Sequence, residues 1–208
     1  MQDHGGDIYR NQVSLDFSVN INPFGMPQRV REALEAAVTW CERYPDIRSE
    51  ALRDAIAGEK GIAPEDIVCG NGASELFPAI LRAVHAKKVL LAVPSFYGYE
   101  HAAKSVGAEI CCHELLEADG YAVTERLLTA IGEDVDAVFL AVPNNPVGTV
   151  VEPELLEQIA ERCQKNGVTL ILDECFVTFT GEEERYSFLK KYRNYPGVVI
   201  VRAFTKLY

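Results

Sequence analysis

The chain has 208 residues, 48% of them hydrophobic and 25% charged, the proportions of a folded globular protein and not of a disordered or fibrous one. Against 20 basic residues stand 31 acidic ones, a formal net charge of −11. Such a field repels phosphate backbones and anionic bilayers, which excludes nucleic acid and membrane surfaces as partners. The length suits one domain, or one and a fraction, burying roughly 70% of its unfolded surface without disulfides. Any phosphate it binds must be held by local donors working against its own field.

The opening Met1-Gln2-Asp3-His4-Gly5-Gly6 has no basic, apolar leader, and no apolar run approaches the length of a membrane span. Six cysteines (41, 69, 111, 112, 163 and 175) form no C-x-x-C pair, and four lie in apolar runs. They read as buried free thiols of a reducing compartment, so the cytoplasm is the expected location.

After a polar start, Pro27 to Val38 has apolar residues at helical spacing, with Pro27 suited to a first turn. A Tyr44-Pro45-Asp46 turn precedes a second amphipathic helix over Ser49–Lys60. The pattern then alternates. Strands are expected at Ile67–Cys69, Lys88–Val93, Glu109–His113, Asp136–Val142, Thr169–Leu172 and Val198–Arg202. Helices are expected at Ala73–Val84, Phe96–Ser105, Thr124–Ile131 (with Thr124 as cap) and Pro153–Lys165. Nearly continuous apolar strands alternating with helices predict an α/β fold, a three-layer αβα sandwich with a mainly parallel sheet. The stretch Gly181 to Arg185 reads as a solvated loop. The chain stops at Lys206-Leu207-Tyr208, straight after a strand and with no closing helix, so a fragment of a longer protein is expected.

Four segments fall at carboxyl ends of strands, where open α/β sheets bind ligands. In Gly70-Asn71-Gly72-Ala73-Ser74-Glu75, two glycines lead into a helix whose free N–H groups and dipole form an anion site; Asn71 or Ser74 capping the same turn is the plainer alternative. Val142-Pro143-Asn144-Asn145-Pro146-Val147-Gly148 is a rigid turn in which Asn145 either presents a fixed amide or simply makes the turn. The pair Asp173-Glu174 follows the buried run Leu170-Ile171-Leu172, and carboxylates there need partners. Asp173 suits a cationic ring nitrogen, an arginine or a metal, although no histidine cluster lies within reach to complete a metal site; Glu174 suits a structural or capping role. Lys206 lies a few residues past the last strand, either a surface lysine or an amine activated by scarce solvent. In combination, an anion cradle, an amide, a buried acid and a lysine match the needs of pyridoxal phosphate.

These motifs resemble the class I/II aminotransferases, in the branch holding histidinol-phosphate aminotransferase and threonine-phosphate decarboxylase. The likeness runs from about His4 to Tyr208. It implies a large domain of the pyridoxal-phosphate transferase type, incomplete here: residues 1–40 would be an N-terminal arm and helix, and 41–208 the cofactor-binding domain without the C-terminal small domain. It also implies that Lys206 carries the cofactor's aldehyde and moves the proton, and that Asp173 bonds the pyridine nitrogen. Asn145 would donate to the ring oxygen, Phe96 stack on the ring, and Ala73, Ser74 and Thr205 hold the phosphate. Tyr44, in Arg43-Tyr44-Pro45, would reach a neighbouring subunit's site, which implies a homodimer.

The opening His4-Gly5-Gly6, the run Leu15 to Pro23, and Asp173 to Phe176 lean toward the decarboxylase. That leaning implies His4 and Asn22 as substrate contacts, a phosphorylated amino acid or amino alcohol as substrate, and a place in cobalamin biosynthesis. Phe176 stands where relatives often have tyrosine, and Ala203 where many have Ser or Thr. The arginines that relatives carry after the lysine, for the phosphate and the substrate carboxylate, have no counterpart in these residues.

Overall fold

A computed structural model of the chain describes residues 5–208, so His4 lies outside the described residues. The backbone divides into two compact units, one comprising the residues up to Cys69 together with Phe204–Tyr208, the other Gly70–Ala203.

In the first unit, Pro27 is the cap of α1 (Gln28–Ala37), one residue ahead of the helix, where its missing N–H costs nothing. A single 3-10 turn, Val38–Trp40, continues it. The start of α2 (Glu50–Lys60) is organised by Asp46, whose carboxylate accepts from the backbone N–H of Arg48 at 3.0 Å and of Glu50 at 2.7 Å. Arg53 Nε donates to the carbonyl of Pro64 at 2.8 Å and ties α2 to the turn Pro64–Asp66. The strand expected at Ile67–Cys69 is not formed. These residues pair with no neighbouring strand among the described residues, and Val68 is 79% exposed.

The second unit is built on five parallel strands, β1 (Lys88–Val93), β2 (Glu109–Glu114), β3 (Ala137–Ala141), β4 (Thr169–Asp173) and β5 (Val198–Val201), in the order β2-β1-β3-β4-β5. Side chains alternate between its faces. Val89, Leu91, Phe139, Ile171 and Val201 pack with Phe77 and Leu81 of α3 (Ala73–Ala83) and Tyr99, Ala102 and Ala103 of α4 (Tyr97–Ser105). Leu90, Val138, Leu140, Leu170 and Leu172 pack with Leu127 of α5 (Leu127–Ala130) and with Leu156, Ile159, Ala160 and Cys163 of α6 (Pro153–Asn166). Both faces are therefore covered, which is why the inner strands carry no polar alternation, and the three-layer αβα arrangement expected from the sequence is realised. Leu170 is fully buried on an inner strand. Leu170→Ala is expected to cost about 2–5 kcal/mol of unfolding free energy in a urea titration.

Three expectations are corrected. The helix predicted over Thr124–Ile131 shrinks to one turn, Leu127–Ala130; Thr124 does not cap it with its side chain, its carbonyl accepting the N–H of Leu127 instead. The stretch read as a solvated loop contains a helical turn, α7 (Glu183–Tyr186), and Glu183 is drawn inward by an ion pair to Arg202 at 2.7 Å. Of the cysteines, all free, only Cys163 is buried, its thiol pushed up to about 12 by loss of solvent. Cys41 and Cys112 are exposed, Cys112 because β2 is an edge strand with a single neighbour. Among the described residues no helix is long and apolar enough to cross a membrane.

Candidate active site

Because all five strands run the same way, the loops leaving their carboxyl ends lie along one edge of the sheet. The loop after β1 ends in Phe96, which caps α4 from an extended conformation. Its half-buried ring meets Tyr97 edge-on at 4.8 Å and Tyr99 at 5.6 Å. Gly98 is required beneath it: a Cβ there would lie 2.3 Å from Phe96 Cε1. The next turn is joined to this loop by Asn144, not Asn145. Asn144 is buried, donates from Nδ2 to the carbonyl of Pro94 at 3.2 Å, and accepts from the N–H of Val147 at 3.2 Å. Its neighbour Asn145 is half-buried, and its side-chain amide makes no hydrogen bond among the described residues. The two adjacent amides thus divide the work, one spent on holding the turn and the other available to a ligand.

The acidic pair at the end of β4 divides in the same manner, as successive residues of a strand must point to opposite faces. Asp173, 8% exposed, accepts from the Tyr99 hydroxyl at 2.7 Å through Oδ2 and from the Cys175 N–H at 3.0 Å through Oδ1. Both donors are neutral, and Asp173 pairs with no basic side chain among the described residues. Glu174, 2% exposed, has its cation: Arg202 donates to Oε2 through Nη2 at 2.7 Å and Nε at 3.1 Å. The Ser187 hydroxyl and the Phe188 N–H complete its shell at 2.8 and 2.7 Å. Burial works against charge on Arg202, but Glu174 and Glu183 more than offset it and hold the guanidinium above its ordinary range. Glu174 is structural, as expected. Its arginine was legible only as the residue ending the next strand.

At the start of α3, Gly72 adopts φ +79°, open to glycine, and no side chain caps the helix. Neither Asn71 nor Ser74 is therefore the cap that the plainer reading allowed. The N–H groups of Ala73 and Ser74 bond to no acceptor among the described residues, and the N–H of Asn71 is taken by the Glu75 carboxylate. Two unspent N–H donors at the start of a helix suit an anion.

The remaining predicted residues belong to the first unit. Lys206 ends a single 3-10 turn, Phe204–Lys206, and is half-buried, while Thr205 is exposed. Asn22 donates from Nδ2 to the Leu207 carbonyl at 2.9 Å and the Gly25 carbonyl at 3.1 Å, and accepts from Phe24 N–H at 3.0 Å, so its amide is engaged by backbone next to Lys206. Tyr44 is fully exposed. Of the two departures, Phe176 is half-buried with its ring 5.9 Å from that of Phe179, and Ala203 is half-buried. Tyr99 is the residue that sequence reasoning passed over. Its signal was its place three residues after Phe96, on the inward side of a helix covering the sheet.

A parallel sheet with a free amide and a buried acid at its carboxyl edge, and an N–H cradle at the start of a helix packed on it, has the layout of a ligand-binding α/β domain. The chain belongs to the class I and II aminotransferase family, whose model matches residues 13–208. It is 37% identical over 99% of its length to the threonine-phosphate decarboxylase of Salmonella typhimurium, covering 58% of that protein. Its fold matches the histidinol-phosphate aminotransferase of Clostridium acetobutylicum with a TM-score of 0.80 at 32% identity, covering 91% of this chain and 55% of that one. It also matches the histidinol-phosphate aminotransferase of Sinorhizobium meliloti, solved in complex with pyridoxal-5'-phosphate, with a TM-score of 0.82 at 25% identity, over 90% of this chain and 51% of the other. The chain thus spans a little over half the length of the curated relatives it matches.

Proposed function

We propose that this chain is the cofactor-binding part of a pyridoxal-phosphate enzyme acting on a phosphorylated amino acid or amino alcohol. The activity of the whole protein is read as threonine-phosphate decarboxylation. One observation carries the reading: Asp173 is a buried carboxylate whose donors among the described residues are both neutral, in the same unit as the unspent N–H pair of Ala73 and Ser74. A buried acid in that state suits a cationic aromatic nitrogen, and the cradle suits a phosphate ester. The 37% identity with a threonine-phosphate decarboxylase favours decarboxylation over amino transfer.

When bound, the cofactor supplies an electron sink for the bond broken at the substrate's α-carbon. The protein's own part is to hold and to protonate. Asp173 would accept from the ring nitrogen and hold the proton there. Ala73 and Ser74 would donate their N–H groups to the phosphate, as would the Thr205 hydroxyl, and so overcome the net charge of −11 locally. Asn145 offers its unspent amide to the ring oxygen, and Phe96 its ring face. Lys206 would hold the cofactor's aldehyde through its amine and would be the group that carries a proton at the substrate carbon. His4 and Asn22 contact the substrate. Phe176 and Ala203 each supply one hydroxyl fewer than many relatives carry, which leaves Asn145 and Thr205 a larger share of their respective contacts. Tyr44, fully exposed on this chain, serves the site of a second copy, in a cytoplasmic homodimer placed in cobalamin biosynthesis.

The test is made on the whole gene product. With pyridoxal phosphate and threonine phosphate, release of carbon dioxide is expected, with no keto product from histidinol phosphate. Keto-acid-dependent amino transfer from histidinol phosphate without carbon dioxide release would overturn the decarboxylase reading in favour of the aminotransferase.

A further inference from the structure

Tyr99 is 1% exposed, on the inward face of α4. Its ring is fixed from three directions. It stacks on Phe139 of β3 at 4.7 Å with an interplanar angle of 11°, meets Phe77 of α3 edge-on at 5.2 Å, and meets Phe96 edge-on at 5.6 Å. A ring so clamped has no rotamer to lose when its hydroxyl makes a bond, so the 2.7 Å hydrogen bond to Asp173 Oδ2 is preorganised. Burial, together with the neighbouring Asp173, pushes the phenol well above its ordinary range. The hydroxyl therefore stays protonated and can only donate to the carboxylate.

An ionised carboxylate offers about four lone-pair positions. Tyr99 occupies one on Oδ2 and the Cys175 N–H one on Oδ1. Bonds to both oxygens fix the carboxylate plane and leave acceptor positions pointing elsewhere. Volume alone does not explain the hydroxyl, because phenylalanine would fill the same aromatic cluster.

We propose that Tyr99 is the positioning residue for Asp173, orienting that carboxylate toward a cationic ring nitrogen by a hydrogen bond from inside the core. This rests on the pyridoxal-phosphate reading above and deepens it by adding a residue that touches the acid and not the cofactor.

The experiment compares two ligands and a ligand-free readout. Tyr99→Phe is expected to weaken binding of pyridoxal phosphate about tenfold, the loss of one charge-assisted hydrogen bond. Binding of the 1-deaza analogue, with carbon in place of the ring nitrogen, should be unchanged, since Asp173 has nothing to bond there. Equal losses for both ligands would mean a packing role and overturn the proposal, as would no loss for either. In the ligand-free chain, urea unfolding of Tyr99→Phe, Asp173→Asn and the double variant should show coupling of about fivefold or more in the unfolding constant. Additive effects overturn the role of Tyr99 while leaving the cofactor reading intact. Coupling retained in a chain that takes up no pyridoxal phosphate overturns the cofactor reading, and the positioning role with it.

Discussion

Lys206→Ala protein, mixed with one equivalent of pyridoxal phosphate and treated with borohydride, is expected to carry no cofactor adduct by intact mass, where the unaltered chain carries one. The effect is all-or-none because the link is covalent: without an amine at position 206 there is no nucleophile for the aldehyde, whatever the phosphate and ring contacts still contribute. The control is internal. Lys190 and Lys191 are solvent-accessible amines on the second unit, each engaged in a surface ion pair. Such pairs are weak, so both lysines report adventitious labelling under the same conditions. Peptide mapping that found the adduct on those lysines in both proteins alike, and never on Lys206, would overturn its assignment.

The second large effect is on stability. Arg202→Met removes the cation from Glu174, whose carboxylate side chain is fully buried. An uncompensated buried charge typically costs about 3–5 kcal/mol, far more than the net worth of the pair itself. Urea unfolding of Arg202→Met is expected to show a loss in that range. Adding Glu174→Gln should recover most of it, because the amide keeps an acceptor for the Phe188 N–H without the charge. A loss below about 1 kcal/mol would show that Glu174 finds solvent or a proton once Arg202 is gone. The pair joins the end of β4, one residue past Asp173, to the end of β5, four residues ahead of Lys206 along the chain.

Some parts were legible in the sequence because they depend on short-range order. β1 was read to the residue, Lys88–Val93, and β3 and β4 to within one residue at each end, because inner strands covered on both faces are unbroken apolar runs. The long helix α6 was legible from its periodicity and the proline at its start. Ile67–Cys69 failed because an apolar triplet carries no information about whether a partner strand lies alongside it. Thr124–Ile131 failed because helical spacing was present for one turn only.

The composition, the strand-helix alternation and the order of cradle, amide, acid and lysine along the chain were determined by the residues themselves, since each depends on neighbours a few positions away. Which amide of Asn144-Asn145 is spent on the turn, which of Asp173 and Glu174 receives the arginine, and that Tyr99 bonds Asp173 from 74 residues away were decided only by tertiary structure. Those outcomes depend on which strands and helices become neighbours. A buried polar group takes whatever partner the packing brings within about 3 Å, a distance that spacing along the chain does not encode.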